Sequence, residues 1–217
     1  MNSYATLVLV HARLFLREPL ALFFTIVFPA LMFGLFGSAF GNTPFPGSDV
    51  GYVDLQIPAL AGMIVGTLGL NFVPTRTATN REMSILRRFK ATPMPSWKWM
   101  VSEITASVAV ALASMSFLVV VGRLGFNAHL PGNWGSVLAA FLLSTLSFLG
   151  VGYLVASLAP SPRVAAAAGQ LLFLPMFMLS GAAMPLQIFP EGLQSFARVL
   201  PMTHVVALMQ AVWNGGD

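Results

Sequence analysis

Cysteine is absent from this 217-residue chain, which excludes disulfides, thiolate catalysis and cysteine-ligated metals. Charge is nearly absent too: Asp, Glu, Lys and Arg make up 8% of residues, against 57% hydrophobic. A soluble domain carries about a quarter charged residues, so a water-soluble fold is excluded on composition. The three histidines, His11, His129 and His204, fall in separate segments with no metal-ligand spacing. No Gly-rich loop leads into Lys-Ser or Lys-Thr, so ATP hydrolysis through a phosphate-binding loop is not expected of this chain. Met1–Val10 has no basic n-region, so a cleaved signal peptide is not expected either.

What is present is a series of uncharged apolar runs, with mean hydropathy +0.80. Leu20–Phe40 has no charge over a length of about 30 Å as a helix, which matches a bilayer core. Further spans are expected at about 57–75, 99–122, 134–159 and 164–185. The formal net charge of +4 does not point to nucleic acid, because the cations gather between these runs. With the N-terminus inside the cell, the inner segments carry nine Lys and Arg and the outer ones two, Arg123 and Arg198. The positive-inside rule therefore sets the orientation, with the N-terminus cytoplasmic.

Residues 3–18 read as an interfacial helix ahead of Pro19. Thr6, His11, Arg13, Arg17 and Glu18 fall within an arc of about 160°. At the other end of the chain, Met202–Val212 is too short to span, at about 16 Å as a helix. Residues 186–213 are expected to form re-entrant or surface helices on the outer side. The fold class is thus an all-α integral membrane bundle forming one transmembrane domain over 1–217, with five complete spans.

The stretch 76–98 holds six of the eleven Lys and Arg. Within it, 78–90 reads as an amphipathic helix that Thr92-Pro-Met-Pro95 ends. Ile85, Leu86 and Phe89 share a face with Ala78 and Glu82, while Arg81, Arg87, Arg88 and Lys90 cover the other. That face either enters a groove on a cytoplasmic partner or rests on anionic lipid. Glu103, one turn inside the third run, is either a proton-relay carboxylate or a group solvated at the interface near Lys98 or Arg76. Pro175 marks a kink or hinge in the fifth run, and Gly62 and Gly66 suit packing within the bundle. Ser180-Gly181 with His204 raises an intramembrane serine protease, although no Gly stands two residues before the serine.

Three stretches together carry a resemblance. They are Arg17-Glu-Pro-Leu20 with Phe36-Gly-Ser-Ala-Phe-Gly41, then Asn80-Arg-Glu-Met with Leu86-Arg-Arg-Phe-Lys-Ala-Thr-Pro93, then Leu179-Ser-Gly-Ala-Ala-Met-Pro185 with Phe189-Pro190 and Leu200-Pro201. In this order they resemble the type-2 ABC transporter permeases, in particular the bacterial daunorubicin-resistance-permease-like group. The resemblance implies a bacterial plasma-membrane exporter subunit for a hydrophobic or amphipathic solute (a drug, a lipid-like or a polysaccharide-type molecule). It implies a separate cytoplasmic ABC ATPase that holds ATP and Mg, and a second permease copy or a related permease. This chain would bind no cofactor, metal or nucleic acid and would hydrolyse nothing itself. Arg81, Glu82, Ile85, Leu86, Arg88, Phe89, Thr92 and Pro93 would dock the ATPase. Ser180, Gly181, Pro185, Pro190 and Pro201 would form the family signature at an outer gate. Met83 stands where the family usually has Gly. The family has six spans, so a fragment or truncated protein is expected.

Overall fold

A computed structural model describes residues 3–42, 51–84, 95–183 and 186–215. The elements are α1 (Ser3–Leu16), α2 (Pro19–Phe40), α3 (Tyr52–Glu82), α4 (Ser96–Phe126), α5 (Trp134–Leu158), α6 (Pro162–Leu179), α7 (Glu191–Ala197) and α8 (Pro201–Trp213). Helices α2 to α6 are each long and apolar enough to cross a membrane, and α7 with α8 form a pair bent by 88°. No β-strand occurs among the described residues.

Helix α3 is the central column. Its most apolar window is 89% buried, against 17–44% for the other four spans, so it is the span wholly enclosed by protein. It packs on α2, α4, α5, α6 and α8. Ile57, Leu60, Met63, Ile64, Leu68 and Leu70 are fully buried along it. Small residues let its neighbours close in: a Cβ on Gly62 would meet Val206 of α8, and one on Gly66 would meet Met202 and Phe173. This agrees with the packing role expected of that glycine pair.

Two spans contain a π-helical turn, Phe23–Val27 in α2 and Thr67–Phe72 in α3. Each precedes a proline, Pro29 or Pro74. The proline ring cannot donate a bond to the carbonyl four residues back and crowds it. Those carbonyls belong to Thr25 and Leu70, inside the π turns, so the helix widens where the proline removes its bond. Pro175, by contrast, sits in an α6 that the described residues show unbroken, so it makes no hinge by interruption.

The ends differ from the sequence expectations. The second span runs from 52 to 82 rather than 57 to 75, and the third from 96 to 126 rather than 99 to 122. The fifth stops at Leu179 rather than 185, because Gly181 turns the chain with φ +88°. Of the helix expected over 78–90, residues 78–82 belong to the end of α3, where Ser84 takes the left-handed φ of +54° and ends that helix, and 85–90 lie outside the described residues. Nor is α8 a surface helix. Met202 and Met209 are fully buried, its Pro201 end lies beside Phe148 midway along α5, and Trp213 meets Trp134 at the start of α5. It is inserted into the bundle and returns to the end opposite α1.

Candidate functional site

Helices α2, α3 and α6 enclose a groove of about 390 Å³ within the apolar depth of the bundle. The two π turns flank it, contributing Phe24 from α2 and Thr67, Asn71 and Phe72 from α3. Helix α6 adds Gln170, Phe173 and Phe177, the last two stacked with centroids 5.7 Å apart. Helices α3 and α6 approach closely here, since a Cβ on Gly169 would run into the Leu70 carbonyl. The residues after these, Asn71 and Gln170, therefore face the same space. Neither side-chain amide has a hydrogen-bond partner among the described residues. An aromatic slot with two free neutral amides suits a mainly apolar solute carrying hydrogen-bonding groups.

A second groove of about 640 Å³ opens at the α1 end and shares Leu20, Asn71 and Phe72 with the first. Its further lining includes Arg17, Glu18, Thr75, Arg76, Thr79 and Asn80. Thr75 and Thr79 turn their hydroxyls back onto the carbonyls of Asn71 and Thr75 (2.7 and 2.8 Å), leaving the longer side chains to define the polarity. Arg76 donates to the His11 carbonyl (3.5 Å), joining α3 to α1. The His11 ring is buried, has no hydrogen-bond partner among the described residues, and packs edge-on to Trp99. Burial, and secondarily the Arg76 charge, pull its pKa from 6.5 down to about 4, so the ring is neutral.

Glu103 is not solvated at the interface as the sequence suggested; its side chain is 1% exposed. One carboxylate oxygen accepts the Tyr153 hydroxyl (3.1 Å) and the other has no partner among the described residues. It lines neither groove. At the opposite end of the bundle, Asp54 accepts the His129 backbone N–H (2.8 Å) and the Asn42 amide (3.0 Å), and pairs with the His129 ring (2.9 Å). That cluster ties the 127–133 loop to the start of α3.

Of the residues expected at the docking loop, the structure places two. Glu82 ends α3 and is exposed. Arg81 donates to the carbonyls of Ala156 and Ala159, closing the C-terminus of α5. Ile85, Leu86, Arg88, Phe89, Thr92 and Pro93 lie outside the described residues, as does Pro185. The remaining signature residues build turns. Ser180 donates to the Phe177 carbonyl (3.2 Å) and accepts the Ala182 N–H (3.3 Å), with Gly181 in the left-handed region. Gln56 of α3 holds this turn through the Ala182 carbonyl (3.1 Å). Pro190 caps α7 and Pro201 starts α8. The serine hydroxyl is committed to its turn, and His204 lies instead beside Ser144 and Phe148, so no nucleophile–base pair forms. The protease reading is set aside on that geometry. The deep groove itself escaped the sequence reading; the pointer to it was a proline placed shortly after a Gly- or Phe-rich stretch in each of two spans.

The family described as ABC-2 type transporter matches residues 3–213. The chain is similar to the probable multidrug ABC transporter permease YbhR of Escherichia coli K12, 22% identical over 158 residues, covering 72% of this chain and 43% of YbhR. It is also similar to Nodulation protein J of Rhizobium leguminosarum bv. trifolii, 33% identical over 113 residues, covering 51% of this chain and 41% of that protein. The putative transport permease ycf38 of Cyanophora paradoxa is 26% identical over 216 residues, covering 93% and 72%. The matches span less than half the length of YbhR and Nodulation protein J. No solved structure matches.

Proposed function

We propose that this chain, which belongs to the ABC-2 type transporter family, is the membrane-spanning permease part of an ATP-driven exporter in a bacterial plasma membrane. Its N-terminus faces the cytoplasm. The solute is hydrophobic or amphipathic and occupies the groove between α2, α3 and α6. A separate cytoplasmic ABC ATPase binds and hydrolyses ATP with Mg, and docks on the basic loop that follows Glu82. The observation that carries this reading is the deep groove, uncharged, aromatic and bounded by two proline-widened turns.

Force on the loop after Glu82 enters the bundle through α3, the column on which five other helices pack. Movement of α3 against α2 and α6 changes the groove between them, and alternating access to the two sides follows. A second copy, or a related permease, covers the outward apolar faces of α2 and α6, which the chain leaves uncovered. Proton coupling through Glu103 finds less support, because that carboxylate is sealed away from both grooves. The test is reconstitution with the ATPase partner in proteoliposomes. Solutes that bind the groove should stimulate ATP hydrolysis, and bulky substitution of Phe173 should abolish the stimulation. A basal rate indifferent to every amphiphile tried, with the complex intact, would refute the proposal.

A further inference from the structure

We infer that the shallow groove at the α1 end is a subsite for an acidic headgroup, so that the solute is an amphiphile with a phosphate or carboxylate at one end and an apolar body in the deep groove. This rests on the exporter reading and adds the substrate class. Continuity carries the geometry: Leu20, Asn71 and Phe72 line both spaces, so one elongated molecule fills them together. The deep part has no ionisable side chain in its lining, whereas the shallow part has Arg17, Arg76 and one carboxylate, Glu18.

The two cations are available. Among the described residues, neither guanidinium lies within 4.0 Å of a carboxylate, the one ion pair being His129 with Asp54. Arg76 spends a single long hydrogen bond on the His11 carbonyl. Arg17 is exposed, in the turn that links α1 to α2. Two planar guanidiniums lining one groove, Arg17 from the turn after α1 and Arg76 from α3, are the donor type that an oxyanion headgroup takes. The apolar wall of Leu14, Leu20 and Phe72 receives the first carbons of the chain below it.

The experiment measures binding to the full chain in phosphatidylcholine nanodiscs, without ATPase or nucleotide. The probes are radiolabelled dodecyl phosphate, dodecyl trimethylammonium and inorganic phosphate. Dodecyl phosphate should saturate at one molecule per chain, with the cationic probe and free phosphate each weaker by about tenfold or more. Arg76→Gln should weaken dodecyl phosphate by about tenfold, and Arg17→Gln, being exposed, by about threefold. Arg76→Lys should restore most of the affinity, which separates charge from folding, and each variant is checked for a monodisperse elution profile. Arg163→Gln, at the same end but outside the groove, should change nothing.

Equal binding of the cationic probe would overturn the inference. So would an Arg163→Gln loss as large as that of Arg76→Gln, which would mean general surface attraction. Equal affinity for inorganic phosphate would leave an anion site without the amphiphile. Displacement by phosphatidylglycerol at bilayer mole fractions would assign the site to a resident lipid instead of cargo. Because neither ATPase nor ATP is present, failure here leaves the exporter proposal standing, and failure of ATP coupling leaves this binding result standing.

Discussion

Replacing Gly69 by alanine is expected to destabilise the bundle, while the same change at Gly150 is not. Gly69 lies in the π turn of α3, against α5. An added Cβ would stand 2.6 Å from the Phe148 carbonyl oxygen, 2.7 Å from its carbon and 2.8 Å from the Phe148 Cβ. An ordinary carbon–oxygen contact needs about 3.3 Å, so the two helices must part by about 0.7 Å at this point. Two of the three obstructing atoms are backbone, which no rotamer change relieves. Separation there also opens the close packing of Gly152, whose own Cβ position is filled by the Gly69 carbonyl. Overpacking of this kind costs about 1–3 kcal/mol, offset by about 1 kcal/mol of improved helix propensity. Gly150 has no atom within 4 Å of its Cβ position, so alanine there gains the propensity term alone. The two substitutions should therefore differ by about 1–3 kcal/mol in opposite directions from the parent. Equilibrium unfolding in mixed micelles measures the gap. Equal stability of the two variants would show that α3 and α5 do not meet backbone to backbone, and the account of the groove would lose its frame.

Arg81→Gln removes two guanidinium bonds from the last carbonyls of α5, at a cost of about 1–3 kcal/mol; amide exchange over residues 155–159 should quicken, and unchanged exchange would show that Arg81 is no anchor. Docking of α1 depends on a neutral His11. Its folded pKa, about 4, lies below 6.5, so the unfolded state takes up a proton first and stability rises with pH. The contribution is complete above about 6.5 and is lost as pH falls toward 4, so exchange in residues 3–16 should rise across that window. His11→Phe should flatten the response; a pH dependence that persists in that variant would exclude the histidine as its source. Asp54→Ala strips the 127–133 loop of its acceptors, and limited proteolysis there should accelerate; cleavage at the parental rate would mean that the loop is held by other contacts.

The spans were legible because a bilayer tolerates few charges at helix centres, so uncharged runs mark them. Their ends were not, because a charged side chain near an end is tolerated once a protein group satisfies it. Asp54, met by His129 and Asn42, lets α3 begin at Tyr52. Arg76 and Arg81, donating to carbonyls of α1 and α5, let it run to Glu82. Arg123, donating to the Ala128 carbonyl (3.3 Å), lets α4 pass beyond Gly122. The 78–90 periodicity was real as a pattern but crossed Ser84, whose left-handed backbone no hydrophobic count could reveal. The grooves were invisible for a different reason: each depends on how helices distant in sequence lie against one another.

Pro29 and Pro74 connect these levels. Each deprives a carbonyl four residues earlier of its helical donor, and each widened turn borders the deep groove. At Pro74 the affected carbonyl, that of Leu70, faces Gly169, where only hydrogen can fit. The next residue, Asn71, belongs to both grooves, and its carbonyl is held by Thr75. A turn that is already wide needs little work to shift register, since no full set of i to i+4 bonds has to break there. On the exporter proposal, displacement of α3 is thus absorbed where the solute sits, while the Gly62 and Gly66 contacts before the turn move as a unit.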